Sequence, residues 1–252
     1  APHWLDEGDA ADIVFHGSLV SARKELALMD HGALDIVVQP LGDRTKKLII
    51  ADMDSTMITV ECIDELADYA GLKPEIAAIT ERAMRGEIDF AESLLARVRT
   101  LANLPESVIE ATYQRLRPTT GVIETISAIH ELGGKVGAVS GGFTQVLEPL
   151  AEAMNLDFYR GNCLSIANGT LTGDLVGEII DRAGKARALS DWAGQLSLAS
   201  EQTVAVGDGA NDLEMMQLAG LSVAFNAKEI VRSQADLVID SGDLRDLLPA
   251  LA

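Results

Sequence analysis

The chain has 252 residues, 48% apolar and 4% aromatic, with a formal charge of −19. That length suits one large α/β domain with an insertion or appendage, and the apolar share suits a packed core rather than a disordered chain. The charge excludes a binder of nucleic acid or anionic lipid, because the only basic run, Arg44–Lys47, is too short to outweigh it, and the few aromatics exclude a base-stacking surface.

A small anionic substrate stays compatible, since it needs only a local positive site. No apolar run reaches the length of a membrane span. No signal peptide opens the chain, and the first residue is Ala1 rather than Met, so the N-terminus is expected to be processed, trimmed or partly missing. Cys62 and Cys163 form no C-x-x-C and are expected as small buried or half-buried thiols in a reducing, cytoplasmic setting. The four histidines do not cluster, so no zinc site is expected.

In chain order, residues 1–46 read as a partial β-α-β region: a strand at 12–15, a helix at 21–29 and a strand at 34–40. That is too little for an independent core, so it must dock on the rest, pair with another chain or be the remainder of a larger domain. From residue 47, apolar runs alternate with helical patterns. One run ends at Asp52, one at Ser140-Gly141-Gly142 and one at Asp208, and 222–225 and 237–240 follow. Continuous apolar runs separated by helices predict an α/β fold with a doubly wound parallel sheet. Ligands bind outside the carboxyl ends of such strands, so Asp52, Ser140 and Asp208 are expected in one crevice.

Residues 60–132 are too long for one crossover and read as an inserted helical cap that includes a crossover helix. Asp89 and Glu92 have the spacing of a capping box. Phe90, Leu94, Leu95, Val98 and Leu101 form an apolar stripe. Arg97 points with the stripe and Arg99 away from it, so Arg97 is either a snorkelling core residue or an anion receptor. Asn168-Gly169, inside 163–175, predicts a small β-hairpin flap.

The chemistry begins at Asp52 and Asp54. Two carboxylates at a strand end either cap a turn or serve as nucleophile and acid/base. In the second case a divalent cation is needed to reconcile them with a phosphate. In G-D-G-A-N-D (207–212), Asp208 is placed as a further metal ligand, and Asn211 and Asp212 fall in the first turn of the helix, where they would bond substrate or orient a lysine. V-S-G-G-F-T (139–144) adds a hydroxyl and a glycine-rich anion cradle. Lys185 reads as a surface lysine or as a cation on phosphoryl oxygens, and spacing does not choose between them.

Taken together, Asp52-Met-Asp54-Ser-Thr, V-E-C-I-D-E-L-A (60–67), E-R-A-M-R-G-E-I-D-F (81–90), V-S-G-G-F-T, Lys185 and G-D-G-A-N-D resemble the phosphoserine phosphatases of the haloacid dehalogenase superfamily over residues 47–252. The resemblance implies a Rossmann-like core (47–59 and 133–252) with the helical cap at 60–132, and residues 1–46 as a possible remnant of an ACT-like domain. It implies Mg²⁺-dependent hydrolysis of O-phospho-L-serine through an aspartyl-phosphate, the last step of L-serine synthesis. Asp52 would be the nucleophile and Asp54 the acid/base. Asp52, the Asp54 backbone carbonyl and Asp208 would hold the metal. Ser140, Gly141, Lys185 and Asn211 would hold the phosphoryl group, with Asp212 positioning Lys185. Glu61 would read the ammonium and Arg97 the carboxylate, with Met84 and Phe90 on the apolar wall of the cap. A homodimer is left open. Three other readings share these residues: phosphoryl transfer to another acceptor such as homoserine, a receiver-type switch, and an inactive binding protein on the same fold. Asp54, the cap and the Glu61/Arg97 pair disfavour the switch, and intact Asp52, Asp54, Lys185 and Asp208 disfavour the binding protein.

Overall fold

The computed structural model describes residues 2–8, 10–26, 28–29, 32, 34–42, 45–85 and 87–251. Ala27 and Arg44, on which expectations above fall, lie outside the described residues, as does the Met84 side chain.

The N-terminal region does not form the expected β-α-β order. It opens with an antiparallel hairpin of β1 (His3–Asp6) and β2 (Ala10–Asp12), followed by α1 (Leu19–Leu26). Of the stretch 12–15 only Asp12 is in a strand, and 34–40 is irregular. The physical reason is docking. Arg23 Nη2 donates to Val38 O (2.9 Å) and Gln39 Nε2 to Ala250 O (2.9 Å). Val38 is buried and Val37 packs against the main core. Tertiary contact thus overrides the β propensity of Ile36–Val38. A salt bridge from Arg23 to Asp236 Oδ1 (2.7 Å) ties α1 to the same body.

β3 (Leu48–Ala51) is buried throughout. An irregular turn, Met53–Met57, leads into the helical insertion: α2 (Cys62–Ala70), α3 (Lys73–Met84), α4 (Phe90–Thr100), α5 (Ser107–Tyr113) and α6 (Val122–Glu131). The first four pack on one another, with α5 also against α7 (Thr144–Met154). In contrast, α6 packs on β4 (Lys135–Phe143) and on the C-terminal 3₁₀ turn Leu244–Leu251. The capping box forms: Asp89 Oδ1 accepts from Glu92 N (2.8 Å) and Glu92 Oε2 from Asp89 N (3.1 Å).

After α7 come β5 (Phe158–Ala167), β6 (Thr170–Val176), α8 (Arg182–Gln195), β7 (Thr203–Gly207), α9 (Leu213–Leu218), β8 (Leu221–Phe225), α10 (Glu229–Arg232) and β9 (Leu237–Ile239). The main sheet runs β6-β5-β4-β3-β7-β8-β9, parallel except for β5–β6. Ile49 and Ala51 face one core, Leu48 and Ile50 the other. Both faces are covered, as continuous apolar strands require. The β5–β6 hairpin turns at Asn168 (φ 52°) and Gly169 (φ 76°), the paired positive φ values of a type I′ turn.

From β3 the chain first builds outward through β4 and β5, then returns to add β7, β8 and β9 on the other side of β3. The switch in strand order therefore falls at the ends of β3, β4 and β7, where an open α/β sheet leaves a crevice.

Candidate active site

The backbone N–H of Asp52 donates to Val206 O (2.9 Å), carrying the β3–β7 ladder one residue past the strand. The chain then breaks: Asp54 is extended and Ser55 is left-handed (φ 58°). This break turns the two carboxylates apart. Asp52 Oδ1 accepts from Met53 N (2.7 Å), and its Oδ2 lies 2.7 Å from Lys185 Nζ. Asp54 Oδ1 accepts from Cys62 N (3.1 Å) at the start of α2, and its Oδ2 from Ser140 Oγ (3.4 Å). Gly142 is packed so close to this pair that a Cβ there would sit 2.9 Å from Asp54 Oδ2 and 3.0 Å from Ser140 Oγ.

Lys185 is 1% exposed. The Asp181 side chain caps α8 by accepting from Gly184 N (2.8 Å), which seats Lys185 in the first turn. Its ammonium donates to Asp212 Oδ1 (2.8 Å) as well as meeting Asp52. Burial pulls the Lys185 ammonium down, but Asp212 and Asp52 outweigh it and hold the charge in place. Asp212 accepts from Gly209 N through its other oxygen (3.1 Å). A Cβ at position 207 would lie 2.4 Å from that carboxyl, so only glycine lets Asp212 tuck under the end of β7.

Above this buried triad lies a cleft of about 340 Å³, lined by Asp52, Asp54, Glu61, Phe90, Arg97, Gly141, Asp208 and Asn211. Ser140, Lys185 and Asp212 lie just beneath, joined by the hydrogen bonds above. The expected site residues with described side chains therefore meet at one place. Phe90 comes down from α4 onto the last residues of β4, where a Cβ on Gly141 would sit 3.1 Å from its ring. Glu61 Oε1 accepts from Ser55 Oγ (2.9 Å). Arg97 is half-buried and Arg99 exposed. Among the described residues, Arg97 makes no ion pair; its Nε donates only to Ser93 O (3.4 Å). Burial lowers its pKa, against the pull of Asp64, Glu61 and Asp54.

The electrostatics are lopsided. Among the described residues, Asp52, Asp54, Glu61, Asp208 and Asp212 face only Lys185, Arg97 and Lys228. Burial, then Glu61, pushes the Asp54 carboxyl up to about 7. Burial and Asp212 push Asp208 up to about 6, against Lys228. Burial drives Asp52 well above the carboxylate range in spite of Lys185. Carboxylate atoms of Asp52, Asp208 and Asp212 lie within 4.8 Å of one another. Asp212 is turned under β7, with its oxygens on Lys185 and Gly209, whereas Asp52 and Asp208 line the cleft itself, where they would face a cation. A hard divalent ion fits this all-oxygen, over-negative set.

Two residues were missed in the sequence. Lys228 lines the cleft, and its backbone N–H donates to Asp208 O (3.0 Å). Its signal was available, because it lies in the turn between β8 and α10, on the side of the sheet where β7 gives way to Asp208. Ser55 holds Glu61, a contact that rests on a left-handed residue no local pattern announces. Cys62 and Cys163 are free, buried and half-buried respectively. No helix among the described residues is long and apolar enough to cross a membrane.

A parallel sheet with paired aspartates at its switch point, a buried lysine and a third strand-end aspartate defines a class of hydrolase. A sequence model of the haloacid dehalogenase-like hydrolases matches residues 46–220, and the chain belongs to that family. Its place there is among the phosphoserine phosphatases. It is 50% identical over 87% of its length to phosphoserine phosphatase SerB2 of Mycobacterium tuberculosis, of which it spans 54%. It is 45% identical over 82% of its length to the phosphoserine phosphatase of Streptococcus thermophilus, of which it spans 96%. A solved phosphoserine phosphatase, described as a phospho-aspartyl intermediate analogue, superposes with a TM-score of 0.77 at 41% identity, covering 82% of this chain and all of that one. Several curated relatives are longer: the chain spans 64% of the one from Archaeoglobus fulgidus and 50% of the one from Streptomyces coelicolor.

Proposed function

We propose that this chain hydrolyses O-phospho-L-serine to L-serine and phosphate. The observation that carries the reading is Arg97, a half-buried guanidinium without an ion-pair partner among the described residues, facing the same cleft as Asp52. Burying a guanidinium is costly unless something pairs with it. A substrate carboxylate would do so, and Glu61 across the cleft would take the ammonium of the same amino acid.

Asp52 is the nucleophile in this reading. Its Oδ attacks phosphorus, a P–O bond forms to Asp52, and the bond to the serine oxygen breaks. Asp54 gives that oxygen its proton and then takes one from a water, which attacks phosphorus and frees Asp52. Ser140, the Gly141 backbone, Asn211 and Lys185 hold the phosphoryl oxygens, and Asp212 keeps Lys185 aimed. A divalent cation, Mg²⁺ in this reading, would sit between Asp52, Asp208 and the Asp54 carbonyl and offset the negative charge there.

The same reading divides the chain into a catalytic core of 47–59 and 133–252 and a cap of 60–132, with α6 as the crossover. Residues 1–46 are assigned in this reading as a separate N-terminal region. L-serine synthesis is the metabolic setting and the cytoplasm the compartment. A homodimer is the oligomeric form to test by sedimentation.

The test is phosphate release from O-phospho-L-serine with Mg²⁺, beside phosphothreonine, a sugar phosphate and p-nitrophenyl phosphate. Asp52→Asn and a chelator serve as controls. Preferential turnover of phosphoserine, lost in both controls, supports the proposal. Turnover of other esters with phosphoserine ignored refutes the reading of Glu61 and Arg97. No metal-dependent release from any ester refutes the reaction itself.

A further inference from the structure

Asn162 belongs to none of the motifs above, yet it is 1% exposed and sits on β5 beside the end of β4, paired with Phe143. Its Nδ2 donates to Gly141 O (2.9 Å), and its Oδ1 accepts from Ile180 N (2.8 Å). We propose that Asn162 is the positioning residue of the phosphoryl pocket, one side chain that sets both the irregular Ser140–Gly142 stretch of β4 and the entry to the helix bearing Lys185. The inference rests on the reading of that pocket given above.

The first link runs through one peptide plane. The Gly141–Gly142 bond is trans, so its C=O and N–H point to opposite sides. Asn162 holds the carbonyl on the far side, and the Gly142 N–H is thereby aimed at Ser140 Oγ, to which it donates (2.8 Å). Ser140 Oγ donates in turn to Asp54 Oδ2 (3.4 Å). The second link runs through Ile180. Its N–H is fixed by Asn162 next to Asp181, the residue whose side chain caps α8 and starts the turn containing Lys185.

The residue type follows from the partners. One is a carbonyl that needs a donor, and the other is an N–H that needs an acceptor. A primary amide offers both at the right separation. An aspartate of the same size keeps the acceptor but sets a carboxylate against the Gly141 carbonyl. An alanine removes both bonds and leaves room for a bridging water.

The experiment compares two product inhibitors in the full chain with Mg²⁺. Inorganic phosphate reads the pocket that Asn162 builds, and L-serine reads Glu61 and Arg97, which Asn162 does not touch. Asn162→Asp is expected to weaken inhibition by phosphate about tenfold, the scale of one lost buried hydrogen bond, while inhibition by L-serine stays within about twofold. Asn162→Ala is expected to move the same ratio in the same direction, and it decides the matter if the aspartate variant does not fold. Equal weakening of both inhibitors, or of neither, overturns the inference, because a merely structural residue has no reason to separate them. Wild-type protein that hydrolyses p-nitrophenyl phosphate but ignores phosphoserine and L-serine would refute the substrate reading alone. Asn162 is then judged by phosphate inhibition against the thermal unfolding midpoint of the same variants: unchanged inhibition overturns it, and weakening beyond what lost stability explains supports it.

Discussion

Lys185 shows how far a single residue is decided by its surroundings. In the sequence it reads equally as a surface lysine or as a phosphoryl ligand. In the fold it is buried between Asp52 and Asp212, and its charge is the main local compensation for both. Lys185→Met is expected to cost about 3–5 kcal/mol, because it leaves two buried carboxylates without their cation. Denaturant unfolding of the folded variant measures this, and an unchanged midpoint would contradict the packing argument. Arg97 is the opposite case. Helical spacing alone placed it with the apolar stripe, since residues 90, 94, 97 and 101 share one face. What spacing did not supply was the lack of an ion-pair partner, which depends on every element around it.

At the scale of elements, α4 carries Arg97, and its start is set by the Asp89–Glu92 box. Asp89→Ala is expected to cost about 1 kcal/mol and to lower the melting temperature by about 2–4 °C. Calorimetry tests this, and a loss several times larger would mean that Asp89 does more than cap. The turn between α7 and β5 gives a pH dependence. Burial pushes the Asp157 carboxyl up, but hydrogen bonds from Lys135 Nζ (2.6 Å), Val136 N (2.9 Å) and His130 Nε2 (2.8 Å) outweigh it and hold it below the usual range. A depressed carboxyl stabilises the fold at pH values above the ordinary value of about 3.9 and loses that contribution as pH falls through its folded value. Asp157→Asn is therefore expected to be less stable at neutral pH and to lose less on acidification below about pH 4. Denaturant midpoints across that range check the sign, and parallel curves for the two proteins would contradict it.

The whole molecule poses an electrostatic problem for the proposed function: a chain of charge −19 would have to admit a phosphate ester. Lys228 at the cleft lining is placed to offset this locally, and it already acts on Asp208. Lys228→Gln is expected to lower kcat/KM for phosphoserine several-fold at low salt and to flatten its dependence on ionic strength, because the lost attraction is a screened one. Identical salt curves would remove Lys228 from the account.

What the sequence determined by itself is what local order controls. Buried parallel strands need unbroken apolar runs and end where polar residues begin, so Asp52 and Asp208 were legible as strand-end groups, whereas β4 runs on past Ser140 to Phe143 with a break in register between Val139 and Phe143. Asn168-Gly169 and the Asp89–Glu92 box act within four residues and were legible for the same reason. The tertiary structure decided the rest. Residues 34–40 carry a strand's composition yet run as an irregular segment against the core, because side-chain contacts with Arg23 and Ala250 replaced a strand partner. Whether Lys185 is buried, what Asn162 holds and which charges share the cleft all depend on residues far apart in the chain. Such contacts are set by the order of the strands and by packing, and no short window of sequence encodes either.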